Sequence, residues 1–259
     1  MNLRRLRLIV LGAIGLISPL CRAQEITVAA AADLQFAMQD VAARFQKETG
    51  KTVKVVYGSS GNFFQQIQNG APFDMFFSAD ADYPRKLEAA GLAQPGSVYQ
   101  YARGKLVVWV SNGSKLDLSS GMQVLLDPSI KKIAIANPQH APYGKAAVAA
   151  MQKANIYEKV KDKFVLGENI SQTASFVVSG AADVGIVSLS LALSPNMKDS
   201  GRYVEVPTGD YPPIEEACVM LKSSRNQDTA GQFLSYFKSN AVADIFKTYG
   251  FDVPSGPAK

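Results

Sequence analysis

Short apolar runs alternate with helical periodicity along most of the chain. A β-rich run at 26–31 is followed by Leu34, Met38 and Val41 at helical spacing, and Gly50 ends that pattern. The alternation continues with predicted strands at 52–57, 74–78, 105–110, 132–136, 163–166, 184–187 and 216–221, and predicted helices at 63–68, 83–90, 144–154, 171–179, 228–239 and 241–249. Strands that alternate with helices predict an α/β fold whose mainly parallel sheets are flanked by helices.

The predicted elements separate into two groups, each large enough to form its own lobe. The first lobe comprises residues 24–103 and 206–259, and the second comprises residues 104–205. The crossovers near 102–104 and near Val206 are expected to form a hinge. Open α/β sheets bind ligands outside the carboxyl ends of their strands, so two lobes that face each other predict a ligand cleft between them.

The first 23 residues have the pattern of a secretory signal peptide. Arg4, Arg5 and Arg7 precede an apolar run at 8–17 that is too short to span a bilayer, and a small residue, Ala23, precedes the expected cleavage site. The sequence before Cys21 lacks the usual lead-in to a lipid-modified cysteine. We therefore expect an exported protein that is located in the periplasm.

Charge and cysteine content narrow the class of partner. The formal net charge of the 259-residue chain is +5, but four arginines lie in the predicted signal peptide, which contains no acidic residue. The rest of the chain is nearly neutral, which argues against nucleic acid as a partner. Cleavage also leaves Cys218 as the single cysteine, and its apolar neighbours predict a buried strand residue.

The predicted strand-to-helix turns have a composition suited to anions. They are Ala32-Asp33, Gly58-Ser59-Ser60-Gly61-Asn62, Pro142-Tyr143-Gly144, Asn169-Ile170-Ser171 and Ser188-Leu189-Ser190. A helix start presents N–H donors without intrahelical partners and a partial positive charge. The Gly-Ser-Ser-Gly turn is the best single candidate, because glycine permits close backbone approach and serine adds hydroxyl donors. Several such turns in one cleft would hold a dianion without a salt bridge.

Five segments, in order, resemble the periplasmic molybdate-binding proteins. They are EITVAAAADL at 25–34, YGSSG at 57–61, GAPFDMFFSAD at 70–80, NPQHAPYG at 137–144 and IFKTYGF at 245–251. The resemblance implies a two-lobed type II periplasmic-binding fold without a cofactor, in a monomeric protein. Its cleft would hold molybdate or tungstate through hydrogen bonds and deliver the anion to the membrane permease of an ABC importer, which an ATPase drives.

The resemblance also implies which residues contact the oxyanion. They are Asp33, Ser60, Tyr143, Ile170 and Ser188. The only metal expected is the molybdenum within the anion, held through these same residues. The family pattern has serine where Asp33 stands and tyrosine where Ser188 stands. We expect Asp33 to donate its backbone N–H to the anion while its carboxylate turns away and caps the following helix, because a carboxylate beside a dianion is repelled.

Three further sequence features are expected to have structural roles and not to contact the ligand. His140, the single histidine, lies in a proline-containing loop and is interpreted as a structural loop residue. Glu215 and Glu216 follow two prolines and are interpreted as a solvated turn or strand entry. Trp109 lies in an apolar run and is expected in the core or the cleft wall.

Three alternatives to a molybdate receptor remain. A receptor for sulfate, chromate or a phosphate-like anion would use the same fold. A secreted serine hydrolase would need Ser60 with His140, but Asn62 departs from the G-x-S-x-G pattern, and no catalytic residue is predicted. The effector part of a transcription regulator would share the fold, but the signal peptide argues against it.

Overall fold

The computed structural model describes residues 25–254, so the predicted signal peptide and Cys21 lie outside the described residues. The strands of the described region, in chain order, are β1 Glu25–Ala31, β2 Thr52–Gly58, β3 Met75–Ser78, β4 Tyr99–Gly104, β5 Leu106–Ser111, β6 Ile133–Ala136, β7 Phe164–Gly167, β8 Val184–Ser188, β9 Gly201–Glu205 and β10 Ile214–Met220. Its α-helices are α1 Gln35–Thr49, α2 Ser60–Gln68, α3 Asp82–Ala89, α4 Pro142–Lys153, α5 Tyr157–Val160, α6 Ile170–Val178, α7 Leu189–Ala192, α8 Gln227–Phe237 and α9 Asn240–Thr248.

The strands of residues 25–254 form two five-stranded sheets. The first sheet has the order β2-β1-β3-β10-β4, and the second has the order β7-β6-β8-β5-β9. Each sheet is mixed: β1 pairs in parallel with β2 and β3, and β6 with β7 and β8, whereas β10 and β5 run antiparallel to their neighbours. The α/β class and the two-sheet architecture predicted from the sequence are confirmed, but the sheets are mixed and not mainly parallel, because two of the four strand pairs in each sheet are antiparallel.

The chain crosses between the sheets twice within the described region. It passes from β4 of the first sheet to β5 of the second through Lys105 alone, and it returns from β9 to β10 through residues 206–213. These crossings coincide with the positions expected for a hinge. The division into two lobes that move about them stays a prediction.

Aromatic rings fill the core behind the first sheet. The ring of Phe77 packs edge-on against Phe237 at a centroid distance of 4.7 Å, and Tyr101 contacts both Phe237 and Phe246 in the same manner. In the second sheet Trp109 is buried on β5, as expected. Cys218 is a free, buried residue of β10, which confirms the interpretation made from its apolar neighbours.

Several parallel strands are followed directly by the start of a helix. The turn after β1 leads through a short 3-10 helix at Ala32–Leu34 into α1, β2 leads into α2, and β7 leads into α6. The carboxyl ends of these strands, from both sheets, therefore place several helix starts in one region between the sheets. Among residues 25–254, no helix is long and apolar enough to cross a membrane.

Candidate functional site

A small cavity lies where the helix starts of the two sheets meet. Its lining includes Asp33, Ser60, Tyr143 and Ile170, which are four of the five residues that the resemblance assigns to the oxyanion. The remaining lining residues are Ala31, Ala32, Gly58, Ser59, Ala79, Ala141, Pro142 and Asn169. The cavity is thus built by loops and helix starts from both sheets.

Each of the four residues stands at or near a helix start. Asp33 lies in the 3-10 helix before α1, Ser60 is the first residue of α2, Tyr143 is the second of α4 and Ile170 is the first of α6. The partial positive charges of these helix starts converge on the cavity. Such an arrangement favours a negatively charged occupant.

Two side-chain caps hold the first turns of α2 and α6. The hydroxyl of Ser59 accepts the N–H of Asn62 at 3.4 Å, and the side-chain oxygen of Asn169 accepts the N–H of Gln172 at 3.0 Å. Both caps engage the third N–H of their helix. They therefore fix the helix start while leaving its first N–H group for the cavity.

The hydroxyl of Ser60 is oriented by the backbone of the first sheet. Ser60 is fully buried, and its Oγ accepts the N–H of Ala79 at 3.0 Å. A hydroxyl has two lone pairs and a single proton. Because a lone pair is used by Ala79, the proton of Ser60 is available to an acceptor in the cavity.

Ser188 does not line this cavity, unlike the other four predicted residues. It caps α7, because its Oγ accepts the N–H of Leu191 at 3.3 Å. The same Oγ lies 3.0 Å from the hydroxyl of Ser190, which is positioned to donate to the carbonyl oxygen of Asp33 at 2.9 Å. The structure therefore places Ser188 behind Asp33, which it reaches only through the hydroxyl of Ser190.

The prediction that the Asp33 carboxylate caps the following helix was wrong. Neither the 3-10 helix nor α1 has a side-chain cap. The carboxyl of Asp33 points to Tyr143 instead, whose hydroxyl lies 3.2 Å from Oδ2, and Oδ1 is buried without a hydrogen-bond partner among the described residues. Asp33 already lies inside a helical turn, so its side chain is badly placed to bond the N–H groups that a cap must reach.

The interpretation of Glu216 as solvated was also wrong. Glu216 lies on β10 and is fully buried, and its Oε1 and Oε2 lie 3.3 Å from the hydroxyls of Tyr143 and Tyr101. Burial raises the pKa of Glu216 well above its ordinary value, and the nearby charge of Asp33 raises it further. Burial also raises the pKa of Asp33 to about 6, although hydrogen bonds from Glu216 and Tyr143 partly oppose that rise.

A sequence signal for the burial of Glu216 did exist. Alternate residues of a strand share a face, so Glu216 lies on the same face as Ile214 and Cys218. Since Cys218 was expected to be buried, the same argument extends to Glu216. Glu215, on the opposite face, is partly exposed and lies within 3.9 Å of Arg85 and 3.7 Å of Arg103.

A second set of contacts joins the two sheets beside the cavity. Nδ1 of His140 lies 2.8 Å from the hydroxyl of Ser59, and the carbonyl of His140 accepts the N–H of Gly61 at 2.9 Å. Asn62 donates to Glu168 at 2.6 Å, and Glu168 also lies 3.6 Å from Nε2 of His140. His140 is thus a structural residue, as interpreted, with a specific position between the start of α2 and the loop that precedes α4.

These contacts weaken the case for a serine hydrolase. That alternative required His140 to act on Ser60, but His140 contacts Ser59, and the hydroxyl of Ser60 is bonded to the backbone of Ala79. A general base must lie within hydrogen-bond reach of the nucleophile that it activates. The pair of Ser60 and His140 is not brought together.

A larger open groove adjoins the cavity but has less suitable chemistry for an anion. It shares Ala79 and Pro142 with the cavity, and its charged lining residues are Asp80, Asp82, Lys145 and Glu215. Three carboxylates against one ammonium group would repel an anion. The small cavity is therefore the better candidate.

Comparison with known proteins agrees with this geometry. Residues 26–252 match the model of a family described as bacterial extracellular solute-binding protein. The chain is 38% identical over 245 residues to a molybdate-binding protein of Azotobacter vinelandii, which covers 95% of this chain and 96% of the relative. It is also 38% identical over 229 residues to a molybdate-binding protein of Rhodobacter capsulatus, with 88% of each chain covered.

A solved structure gives the same result in three dimensions. The periplasmic molybdate-binding protein of Azotobacter vinelandii superposes with a TM-score of 0.84 at 36% identity, and the match covers 89% of this chain and 100% of that one. Agreement in both sequence and fold extends over almost the whole described region. The chain belongs to the family of bacterial extracellular solute-binding proteins, and it is homologous to molybdate-binding proteins along nearly its whole length.

Proposed function

We propose that this chain is the periplasmic receptor of an ABC importer and that it binds molybdate, or the similar tungstate, in the cavity between the two sheets. Asp33, Ser60, Tyr143 and Ile170 contact the anion in this proposal. Ser188 supports them through Ser190 and the carbonyl of Asp33. Molybdate is the anion named for the relatives from Azotobacter vinelandii and Rhodobacter capsulatus and for the solved structure described above.

The observation that supports this proposal most directly is the convergence of helix starts on one small cavity between the two sheets. Ser60 adds a hydroxyl proton whose direction is set by the N–H of Ala79. Neutral donors on rigid elements bind an anion without a cation, and each donor is fixed on its own sheet before the ligand arrives. The shape and donor spacing of such a site distinguish oxyanions by size.

The remaining parts of the proposal concern location and partners. A cleaved signal peptide exports the chain to the periplasm, where it acts as a monomer. It passes its anion to a membrane permease whose ATPase supplies the energy, and it catalyses no reaction itself. The similarity to a relative described as periplasmic supports this location.

A panel of oxyanions tests the proposed ligand. Molybdate and tungstate should raise the melting temperature of the purified chain, because a ligand at 100 times its Kd stabilises the folded state by ~2.7 kcal/mol. Sulfate and phosphate at the same concentration should produce a much smaller shift, since a smaller anion leaves buried donors unpaired. Equal shifts with sulfate would assign the chain to the alternative class of oxyanion receptors.

A further inference from the structure

Two buried carboxyl groups lie directly behind the proposed anion site. Asp33 lines the cavity and is 2% exposed, and Glu216 on β10 is fully buried. The hydroxyl of Tyr143 lies between them, 3.2 Å from Oδ2 of Asp33 and 3.3 Å from Oε1 of Glu216. Gly104 makes room for this arrangement, since a Cβ at that position would lie 2.0 Å from the Tyr143 hydroxyl.

The hydrogen-bond geometry requires a proton on this pair. The Tyr143 hydroxyl has one proton, so it can donate to only one of the two carboxyl oxygens within reach. The other carboxyl oxygen must then carry a proton and donate it to the Tyr143 hydroxyl. Without that proton, a lone pair of the carboxylate would point at a lone pair of the hydroxyl at a distance of 3.3 Å or less, which is repulsive. A carboxyl pair that shares a buried site does not ionise fully unless a cation compensates it.

No cation compensates the pair within the described residues. Neither carboxyl has an ion pair with a lysine, arginine or histidine, and the titratable groups that contact the pair are Tyr101 from β4 and Tyr143 from α4. Cys218 on the same face of β10 and Tyr211 influence these tyrosines from further away. The elements that flank Asp33 otherwise present Ile170 and Ser190, which do not titrate near neutral pH.

The second carboxyl oxygen of Asp33, Oδ1, is available to a ligand in the cavity. Its Oδ1 is buried and has no hydrogen-bond partner among the described residues, and the residue forms part of the cavity wall. An ionised Asp33 would repel a bound dianion, whereas a protonated Asp33 offers it an O–H donor. A buried polar atom without a partner gains most from such a contact.

We propose that Asp33 takes up one proton from solvent as the oxyanion binds, donates it to the anion as a hydrogen bond, and releases it when the anion leaves. This inference rests on the proposed function and adds a proton to its binding equilibrium. Glu216 is the positioning residue: it keeps its own proton in both states and holds the Asp33 carboxyl against Tyr143.

The electrostatic state of the pair supports this assignment. Burial raises the pKa of Glu216 well above its ordinary value and the nearby charge of Asp33 raises it further, so of the two carboxyls Glu216 is the one that favours its protonated form. Burial raises the pKa of Asp33 to about 6, so the proton of Asp33 is mostly absent at pH 7.5 in the empty protein. A dianion in the cavity raises that pKa further, and this rise is what couples binding to protonation.

Calorimetry with the full-length exported protein tests the proposal. Molybdate is titrated at pH 7.5 in two buffers with different ionisation enthalpies, and the difference in heat reports the number of protons taken up. We expect about one proton per molybdate for the unaltered protein. Between pH 7 and 9 the Kd should rise about tenfold per pH unit, because molybdate stays a dianion while Asp33 must be protonated to bind it.

Two isosteric variants and one control locate the proton. Asp33→Asn supplies a permanent N–H donor, so proton uptake should vanish and the Kd should stay constant from pH 7 to 9. Glu216→Gln mimics the protonated acid and should retain uptake of about one proton. His140→Gln should also retain it, although His140 is hydrogen-bonded to Ser59 at the same site.

The outcomes separate this inference from the proposed function. Tight molybdate binding without proton uptake would overturn the inference alone. Equal uptake in Asp33→Asn and the unaltered protein would place the proton elsewhere and would also overturn it. Failure to bind molybdate at all would overturn the proposed function and this inference together. If Asp33→Asn did not fold, proton uptake would still be measured in the unaltered protein and in Glu216→Gln, from the buffer dependence of the heat and from the change of Kd with pH. Absence of uptake in the unaltered protein would overturn the inference.

Discussion

Ser60 provides the clearest test of a single side chain in the cavity. Its hydroxyl proton is free to bond the anion, because its lone pair accepts the Ala79 N–H. Ser60→Ala should remove one hydrogen bond to a charged ligand, worth ~1.5–3 kcal/mol, and should weaken molybdate binding by roughly 10- to 100-fold. Isothermal titration of the two proteins measures this change directly.

Ser97→Ala is the matched control for Ser60→Ala. Ser97 is also buried, and its Oγ likewise accepts a backbone N–H, that of Met220 at 3.2 Å. Both substitutions leave a backbone N–H without its acceptor, so both should lower the free energy of unfolding by about 1–3 kcal/mol. Ser97 is not part of the cavity wall, and its loss should leave affinity unchanged. An equal loss of affinity in both variants would remove Ser60 from the site.

Glu216 should make the empty protein less stable as the pH rises. Its pKa is raised above the ordinary value of 4.5, so the folded state holds a proton that the unfolded state releases. The associated stability is fully present below the unfolded pKa and is lost, by up to ~1.4 kcal/mol per pH unit, as pH rises toward the folded pKa. Glu216→Gln removes this loss, so the variant should become progressively more stable than the unaltered protein between pH 5 and 8.

Thermal unfolding of both proteins across this pH range checks the sign of the effect. The two melting temperatures should lie closest together near pH 4.5 and separate as the pH increases. A constant difference would show that Glu216 has the same protonation in the folded and unfolded states. The comparison must be made without oxyanion, because bound ligand adds its own stabilisation.

The residues differ in how far the sequence could predict them. Ser60 lies in a Gly-Ser-Ser-Gly turn, and the composition of that turn indicates a helix start that faces an anion. Glu216 follows a proline pair and another glutamate, which are surface features, and only its spacing from Cys218 indicates burial. The partner of the Asp33 carboxyl could not be predicted, because Tyr143 is 110 positions away and reaches it only through the tertiary fold.

At the scale of secondary structure, the cap of α6 links local stability to the cavity. Asn169 caps the helix whose first residue is Ile170, at the cavity wall. Asn169→Ala should lower the free energy of unfolding by ~1 kcal/mol and should weaken molybdate binding several-fold, because the first turn of α6 loses its fixed position. Thermal unfolding and isothermal titration measure the two effects separately.

Ser239→Ala controls for the loss of a cap as such. Ser239 caps α9 by accepting the N–H of Val242 at 3.4 Å, in the same way that Asn169 caps α6. A similar loss of stability is expected, ~1 kcal/mol, but no change in affinity, because α9 does not contribute to the cavity. A binding defect of the same size in Ser239→Ala would mean that affinity follows overall stability and not the start of α6.

The two strands missed from the sequence share a physical cause. The strands β4 and β9 were not predicted, and both lie at the edge of a sheet. An edge strand has one unpaired side and needs no continuous apolar pattern, and β9 indeed has no fully buried residue. The central strands were predicted well because burial on both faces imposes an apolar run.

At the scale of the whole molecule, Gly61 forms a close backbone contact between the two sheets at the site. Its N–H donates to the carbonyl of His140 at 2.9 Å, and a Cβ on Gly61 would lie 2.6 Å from that carbonyl oxygen and 3.0 Å from the His140 Cα. We predict that the two lobes hinge apart about their two crossings in the absence of ligand, and this contact would then be broken. A methyl group at position 61 is therefore tolerated when they are apart and opposed when they close.

Gly61→Ala should consequently weaken binding by preventing full closure. Molybdate should reduce the radius of gyration of the unaltered protein in X-ray scattering, and the variant should show a smaller reduction. A forced contact of this kind costs ~1–3 kcal/mol, which corresponds to a loss of affinity of roughly 5- to 150-fold. The empty variant should be as stable as the unaltered protein or slightly more so, since Gly61 lies within α2 and alanine favours a helix.

Gly231→Ala separates the effect of closure from the effect of helix propensity. Gly231 lies within α8, where a Cβ would approach only the end of the Met220 side chain, at 3.9 Å. This variant should gain stability, by up to ~1 kcal/mol, and should bind and close normally. If Gly61→Ala also bound and closed normally, the contact with His140 would not belong to the ligand-bound state, and the cavity would have to form with the two sheets further apart.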